Sequence, residues 1–234
     1  KDAFSRSINT VAVKISENIG REKVIKMAKL MGINSPILNS PSLALGTSEV
    51  NLLELTAAYD VLANNGNGIF VHGIRSIENT QGKSLFMRKI QGPGKILDTK
   101  VVRTMTQMME ETIKSGTGRQ ARISRPAAGK TGTSQSLRDA WFVGFTSSIV
   151  VGVWFGNDDD SPMVKITGGT APASLWRDFM EKAHKNIQPR ALNYDNQEDI
   201  DSTAQTRKKI QRILQKSREK KEKNVFESIL ENFF

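Results

Sequence analysis

At 234 residues the chain has room for one large or two small domains, and the absence of Cys excludes disulfides and thiolate metal sites. Only two His occur, His72 and His184, far apart in sequence, so neither a His-based metal centre nor a Ser-His-Asp triad finds support. The net charge of +10 invites a nucleic-acid reading, but nine Lys/Arg and two Glu between Arg207 and Lys223 carry most of it; specific nucleic-acid binding is not expected, and the basic run reads as a solvated or anionic-surface feature.

The first residues, Lys1-Asp-Ala-Phe-Ser-Arg6, lack both a Met and the apolar core of a signal peptide. No apolar run reaches the ~18 residues that span a bilayer. The sequence is therefore expected to continue from something longer, with export or anchoring encoded upstream. Residues 4–19 read as a helix with a loop-like start, through Ile8, Val11, Ile15 and Ile19, stopped by Gly20. Arg21 to Met31 reads as a second short amphipathic helix, through Val24, Met27, Ala28 and Met31. A turn-rich stretch, 34–42, leads to a third helix over 49–64, ended by Asn64-Asn-Gly-Asn-Gly68.

Ile69 to Lys89 carries two apolar runs around Asn79-Thr-Gln-Gly82 and reads as a hairpin-like excursion. Asp98 or Thr99 then caps a helix to about Lys114. Its Met-rich face reads as adaptable core rather than as a binding surface. From Ala127 the pattern becomes strand-like. Ala140–Phe145 and Ile149–Phe155, joined by Thr146-Ser-Ser148, suggest an antiparallel hairpin with Lys130–Ser134 beside it. Ala171 to Lys185 reads as a helix with Leu175, Trp176, Phe179, Met180 and Ala183 on its apolar side and Pro172 in its first turn.

Helices, then strands, then a helix argue for α+β with an antiparallel sheet and flanking helices. Residues 1–189 are assigned to one domain, and 190–234 to a polar linker and basic amphipathic C-terminal tail. Gln197–Thr206 has little to bury and is expected to be disordered. Residues 207–234 read as helical, with Val225, Phe226, Ile229, Leu230 and Phe233 on one stripe. That stripe would dock on the domain, on a partner or on a membrane surface.

Chemistry concentrates at Lys130-Thr131-Gly132-Thr133. A phosphate loop would need a Gly where Ser124 stands, would not tolerate Pro126, and would feed a helix rather than a strand. A strand edge that receives a carboxylate fits better. Lys130 supplies positive charge, the Thr131 and Thr133 hydroxyls supply charge-assisted hydrogen bonds, and Gly132 lets a ligand lie close to the backbone. Thr131 and Thr133 share one face of a strand and Lys130 takes the other. The Thr133 N–H is available as half of an oxyanion hole. Four residues alone would also be met by chance in a hairpin.

The context narrows this. Lys-Thr-Gly on a strand is one of three motifs of the enzymes that penicillin inhibits. The runs Leu43–Val50, Ala57–Asn64, Gly116-Thr-Gly-Arg-Gln-Ala121, Ala128–Thr133, Asp139–Phe145, Val153-Trp154 and Gly168-Gly169 resemble, in order, the transpeptidase domain of class A (bifunctional) penicillin-binding proteins, over about residues 1–182. Ser134 stands where many relatives carry a third Thr, a mild departure.

The resemblance implies part of a penicillin-binding/β-lactamase-like transpeptidase fold. It implies a D,D-transpeptidase that cross-links peptidoglycan stem peptides through a serine acyl-enzyme and is acylated by β-lactams, with no metal or organic cofactor. It places the protein at the periplasmic face of the bacterial inner membrane, anchored by a segment outside this chain. It carries the second motif, Ser-x-Asn, onto Ser7-Ile8-Asn9: the Ser passes a proton to the leaving amine, and the Asn holds the substrate backbone. A competing match, Ser16-Glu17-Asn18, lies inside the same predicted helix, and simple helix capping is the plainer role for a Ser or Asn at a helix start. The catalytic set is then Ser7, Asn9 and Lys130, and the substrate-binding set is Lys130, Thr131, Gly132 and Thr133.

The nucleophile motif, Ser-x-x-Lys, has one match, Ser217-Arg-Glu-Lys220, in the charged tail and after the other two motifs. A solvated Lys beside Arg218 and Glu219 makes a poor base. The nucleophile is thus expected in the missing N-terminal half of the domain. The alternative is a non-catalytic remnant that binds a peptide or a partner.

Overall fold

A computed structural model describes residues 1–89 and 92–192. The expectations for 197–206, for the 207–234 helix and for Ser217–Lys220 lie outside the described residues.

The 4–19 segment is two helices rather than one. A single turn, α1 (Asp2–Ser5), is followed by Ser7 at φ 54°, a left-handed conformation that breaks the helical path, and α2 runs Asn9–Ile19. The loop-like start expected from the sequence is this corner. Gly20, at φ 89°, ends α2 and starts α3 (Arg21–Leu30). The turn-rich stretch holds a 3-10 turn, Pro41–Leu45. In α4 (Leu52–Ala63) the Asn51 side chain accepts the Glu54 N–H at 2.9 Å and caps the first turn.

The excursion after α4 is closed at its base by two short antiparallel strands, β1 (Asn67–Gly68) and β4 (Gly94–Lys95). A two-residue strand has no periodicity, and the sequence reading missed this pair. Between them, β2 (Ser76–Glu78) and β3 (Ser84–Met87) form the expected hairpin. It is shorter than expected, and Ile69–Arg75 lies outside it. Both of its strands are exposed throughout, so no packed layer extends the pairing.

Asp98 caps α5 (Thr99–Lys114) by accepting the Lys100 N–H at 2.8 Å. Three strands follow: β5 (Ala128–Thr133), β6 (Asp139–Phe145) and β7 (Val150–Gly156), antiparallel in the order β5-β6-β7. The register pairs Lys130 with Val143, Gly132 with Trp141 and Thr133 with Ala140. This is the predicted sheet, and among the described residues it leaves one edge of β5 without a strand partner. The last helix, α6 (Ala171–Ala183), has Pro172 in its first turn, where its missing N–H costs nothing.

Strand alternation divides the core between the two faces of the sheet. On one face Ala128 and Phe145 pack with Val61 and Leu62 of α4 and Val102 and Met109 of α5. On the other, Phe142 packs with Ala173, Trp176 and Met180 of α6, and Ile113 brings α5 to the same cluster. The burial of Met109 bears out the core reading of the Met-rich face. Two expectations are corrected. Leu175 and Phe179 are about half exposed, because α6 meets the sheet through Pro172, Ala173, Trp176 and Met180, and the other two sit on the flank of that stripe. The apolar row of α2, Ile8, Val11, Ile15 and Ile19, exists but is exposed among the described residues.

Trp176 is the largest buried side chain. Its ring meets Phe142 edge-on at 5.2 Å between centroids, and its Nε1–H donates to the Gly144 carbonyl at 3.3 Å. Trp176→Ala is expected to lower unfolding free energy by about 3–5 kcal/mol in a urea titration, the range for deleting a large buried aromatic. A loss under about 1 kcal/mol would contradict this packing.

Candidate active site

The three-stranded sheet brings Lys130 to the first corner of the chain. Its ammonium donates to the Ser7 hydroxyl oxygen and, at 3.0 Å, to the Thr131 carbonyl. It also lies 5.7 Å from the centre of the Phe4 ring, within cation–π range. The side chain is half-buried. Burial disfavours the charged form and pushes the Lys130 ammonium from an ordinary 10.5 down to about 8. It remains mostly protonated at neutral pH, with one of its three donors uncommitted to any described residue.

Ser7 does not cap α2. The N-cap position is Ile8, and no side chain bonds there. The backbone corner at Ser7 instead turns its hydroxyl toward Lys130, whose donation leaves the hydroxyl proton free. Asn9, two residues on, is the first residue of α2 and is exposed, with no side-chain hydrogen bond among the described residues. The structure thus joins Ser7 and Lys130 directly and leaves Asn9 beside them, unengaged. In the competing match, Ser16 is buried within α2 and Glu17 pairs with Arg21.

On β5, Thr131 and Thr133 share the face opposite Lys130, as strand geometry requires. Both hydroxyls have neighbours: Thr131 meets the Thr117 hydroxyl at 2.6 Å, and Thr133 accepts the Gly168 N–H at 3.0 Å. The Ser134 N–H donates to the Asp139 carbonyl at 3.0 Å. Antiparallel ladders alternate, so the N–H of Thr133, one residue earlier, points away from β6 toward the open edge. A carbonyl oxygen laid along that edge would meet this N–H, while a carboxylate beyond it would meet the Thr hydroxyls and the Lys130 charge.

Thr117 and Gly168 escaped the sequence reading as site residues. Both stand in runs quoted for the resemblance, but their roles depend on contacts across 14 and 35 residues. The usable signal was a Thr between two Gly directly after a helix stop, a mark of close backbone approach. Among the described residues no group of three His, Cys, Asp or Glu is placed to hold a metal, and no helix is long and apolar enough to cross a membrane.

Residues 1–181 match a family model described as the penicillin binding protein transpeptidase domain. Penicillin-binding protein 1A of Aquifex aeolicus is 37% identical over 181 residues, covering 76% of this chain and 25% of that protein. Penicillin-binding protein 1B of Haemophilus influenzae is 31% identical over 195 residues, covering 82% of this chain and 24% of that protein. Among solved structures, the PonA1 protein of Mycobacterium tuberculosis in complex with penicillin V shares the fold at a TM-score of 0.74 and 24% identity, over 82% of this chain and 57% of that one. The chain belongs to the penicillin-binding protein transpeptidase family. It spans about a quarter of the length of the curated relatives it matches.

The environment of Lys130 makes a pH prediction. Its folded pKa lies below its unfolded value, so the unfolded chain holds this proton more tightly, and stability should rise with pH between about 8 and 10.5. Isotope-labelled lysine NMR is expected to show one lysine titrating near 8, absent in Lys130→Met. A spectrum in which every lysine titrates near 10.5 would contradict the burial.

Proposed function

We propose that this chain is the C-terminal part of the transpeptidase domain of a penicillin-binding protein 1A-like peptidoglycan D,D-transpeptidase. The contact between Lys130 and Ser7, beside an open strand edge lined with hydroxyls, carries the reading. In it, residues 1–189 belong to the domain and 190–234 form a linker and basic tail. The nucleophilic serine lies in the part of the domain outside this chain.

That serine gives its hydroxyl proton to the lysine of its own Ser-x-x-Lys motif, which returns it when the acyl-enzyme breaks down, and attacks the carbonyl of the D-Ala-D-Ala peptide bond of a stem peptide. Lys130, Thr131 and Thr133 hold the terminal carboxylate, and Gly132 lets the peptide lie against β5. Asn9 steadies the peptide backbone. The Thr133 N–H receives the developing oxyanion. When the tetrahedral intermediate collapses, the C–N bond breaks and the leaving amine takes the hydroxyl proton of Ser7, which Lys130 replaces through the hydrogen bond between them. An amine from a neighbouring stem peptide then attacks the acyl-enzyme, and its proton returns along the same path. A β-lactam acylates the same serine, its carboxylate held in the same place. The chemistry needs no metal or organic cofactor. The substrate class puts the enzyme at the periplasmic face of the inner membrane, anchored outside this chain.

In the full-length protein, Lys130→Ala is expected to reduce the second-order rate of acylation by a fluorescent penicillin about 10²- to 10³-fold, the scale for losing a transition-state donor. Acylation within threefold of wild type would sink the role assigned to Lys130.

A further inference from the structure

We propose that Thr117 is a positioning residue of the carboxylate subsite, acting through Thr131. The inference rests on the transpeptidase reading and adds a residue from a different element to the site.

Thr117 stands in Ser115-Gly-Thr-Gly118, directly after α5, and is exposed. Three parts of the fold meet on it. Its N–H donates to the Ser5 carbonyl at 3.0 Å, two residues before Ser7. Its hydroxyl lies 2.6 Å from that of Thr131, the residue after Lys130. Its carbonyl faces Gly169, where a Cβ would come within 2.4 Å of the Thr117 oxygen. The preceding Gly116 is as tight: a Cβ there would lie 2.3 Å from the Ser5 carbonyl oxygen. The seam therefore fixes Thr117 against α1, against β5 and against the loop leading to α6.

The hydroxyl pair has a fixed inventory. Two O–H groups at 2.6 Å share one proton between them, and the second proton has no acceptor among the described residues. If Thr117 donates to Thr131, the Thr131 proton is free to point at a ligand on the open edge of β5. A carboxylate there, beside the Lys130 ammonium, accepts that proton and selects this direction. Each hydrogen bond in such a chain polarises the next, so the Thr117 bond strengthens the one Thr131 makes to the anion. Without the Thr117 hydroxyl, Thr131 loses the partner that sets its rotor, while the backbone seam stays intact.

The test compares two substrates of the native full-length protein. One is an acyl-D-alanyl thioester whose thiol leaving group ends in a carboxylate; the other ends in a primary amide. Thr117→Val keeps the volume and the backbone N–H of Thr117. It is expected to lower kcat/KM for the carboxylate thioester about tenfold relative to the amide, equivalent to about 1.4 kcal/mol. Most of that change should lie in KM, the signature of lost ground-state binding. Thr117→Ser, which keeps the hydroxyl, should restore discrimination to within about threefold of wild type. Equal losses on both thioesters, or unchanged discrimination in Thr117→Val, would overturn the inference and leave the transpeptidase reading standing. A wild-type protein that turns over neither thioester would overturn both.

Discussion

The candidate site depends on one contact, between the Lys130 ammonium and the Ser7 hydroxyl, made between residues 123 positions apart in the chain. It is an expensive contact. Partial burial strips water from the ammonium, and its proton affinity falls accordingly. A chain selected only for stability would place an apolar residue there. The strain on the other partner points the same way, since Ser7 adopts a left-handed backbone that a non-glycine residue reaches only at some cost. Unfavourable features on both partners of a single hydrogen bond support the chemical role proposed for the pair.

The surrounding structure supplies the restraint that such a contact needs. Pairing with β6 fixes the height and facing of Lys130, and cores on both faces of the sheet hold that pairing. Ser7 sits just after a short first helix, which cannot hold position unaided. The tight seam at Gly116 and Thr117 fastens that helix to the end of α5 and to β5. Among the described residues the same pairing leaves the far edge of β5 without a strand, and with it the outward N–H of Thr133. The sheet thus sets both the Lys130–Ser7 pair and the surface along which, in the proposed function, an extended peptide would lie.

Much of this is legible in the amino-acid sequence. The three-stranded sheet followed from two apolar runs joined by a short polar turn, and α5 from its cap and periodicity. The Lys-Thr-Gly-Thr strand declared itself by residue type. Ser7 was legible only through local resemblance, because nothing in the periodicity shows that the helix over 4–19 breaks at Ser7 or that this corner faces Lys130. Periodicity failed in a different way on α6. It finds an apolar stripe but cannot say how wide a contact the sheet offers, and Leu175 and Phe179 fell outside it. The β1–β4 pair and the Thr117–Thr131 contact left no local signal strong enough to read, since each exists only once distant segments have packed. The exposed apolar row on α2 is well formed as a pattern, and no described residue covers it.

The decisive measurement is to treat the native protein with penicillin, digest it, and locate the acyl group by mass spectrometry. If this chain supplies the proton-handling and carboxylate-binding wall of a shared site, the adduct will sit on a single serine outside the 234 residues, in a Ser-x-x-Lys sequence. An adduct on Ser7 or on any other serine of this chain, or no adduct at all, would contradict that division of labour.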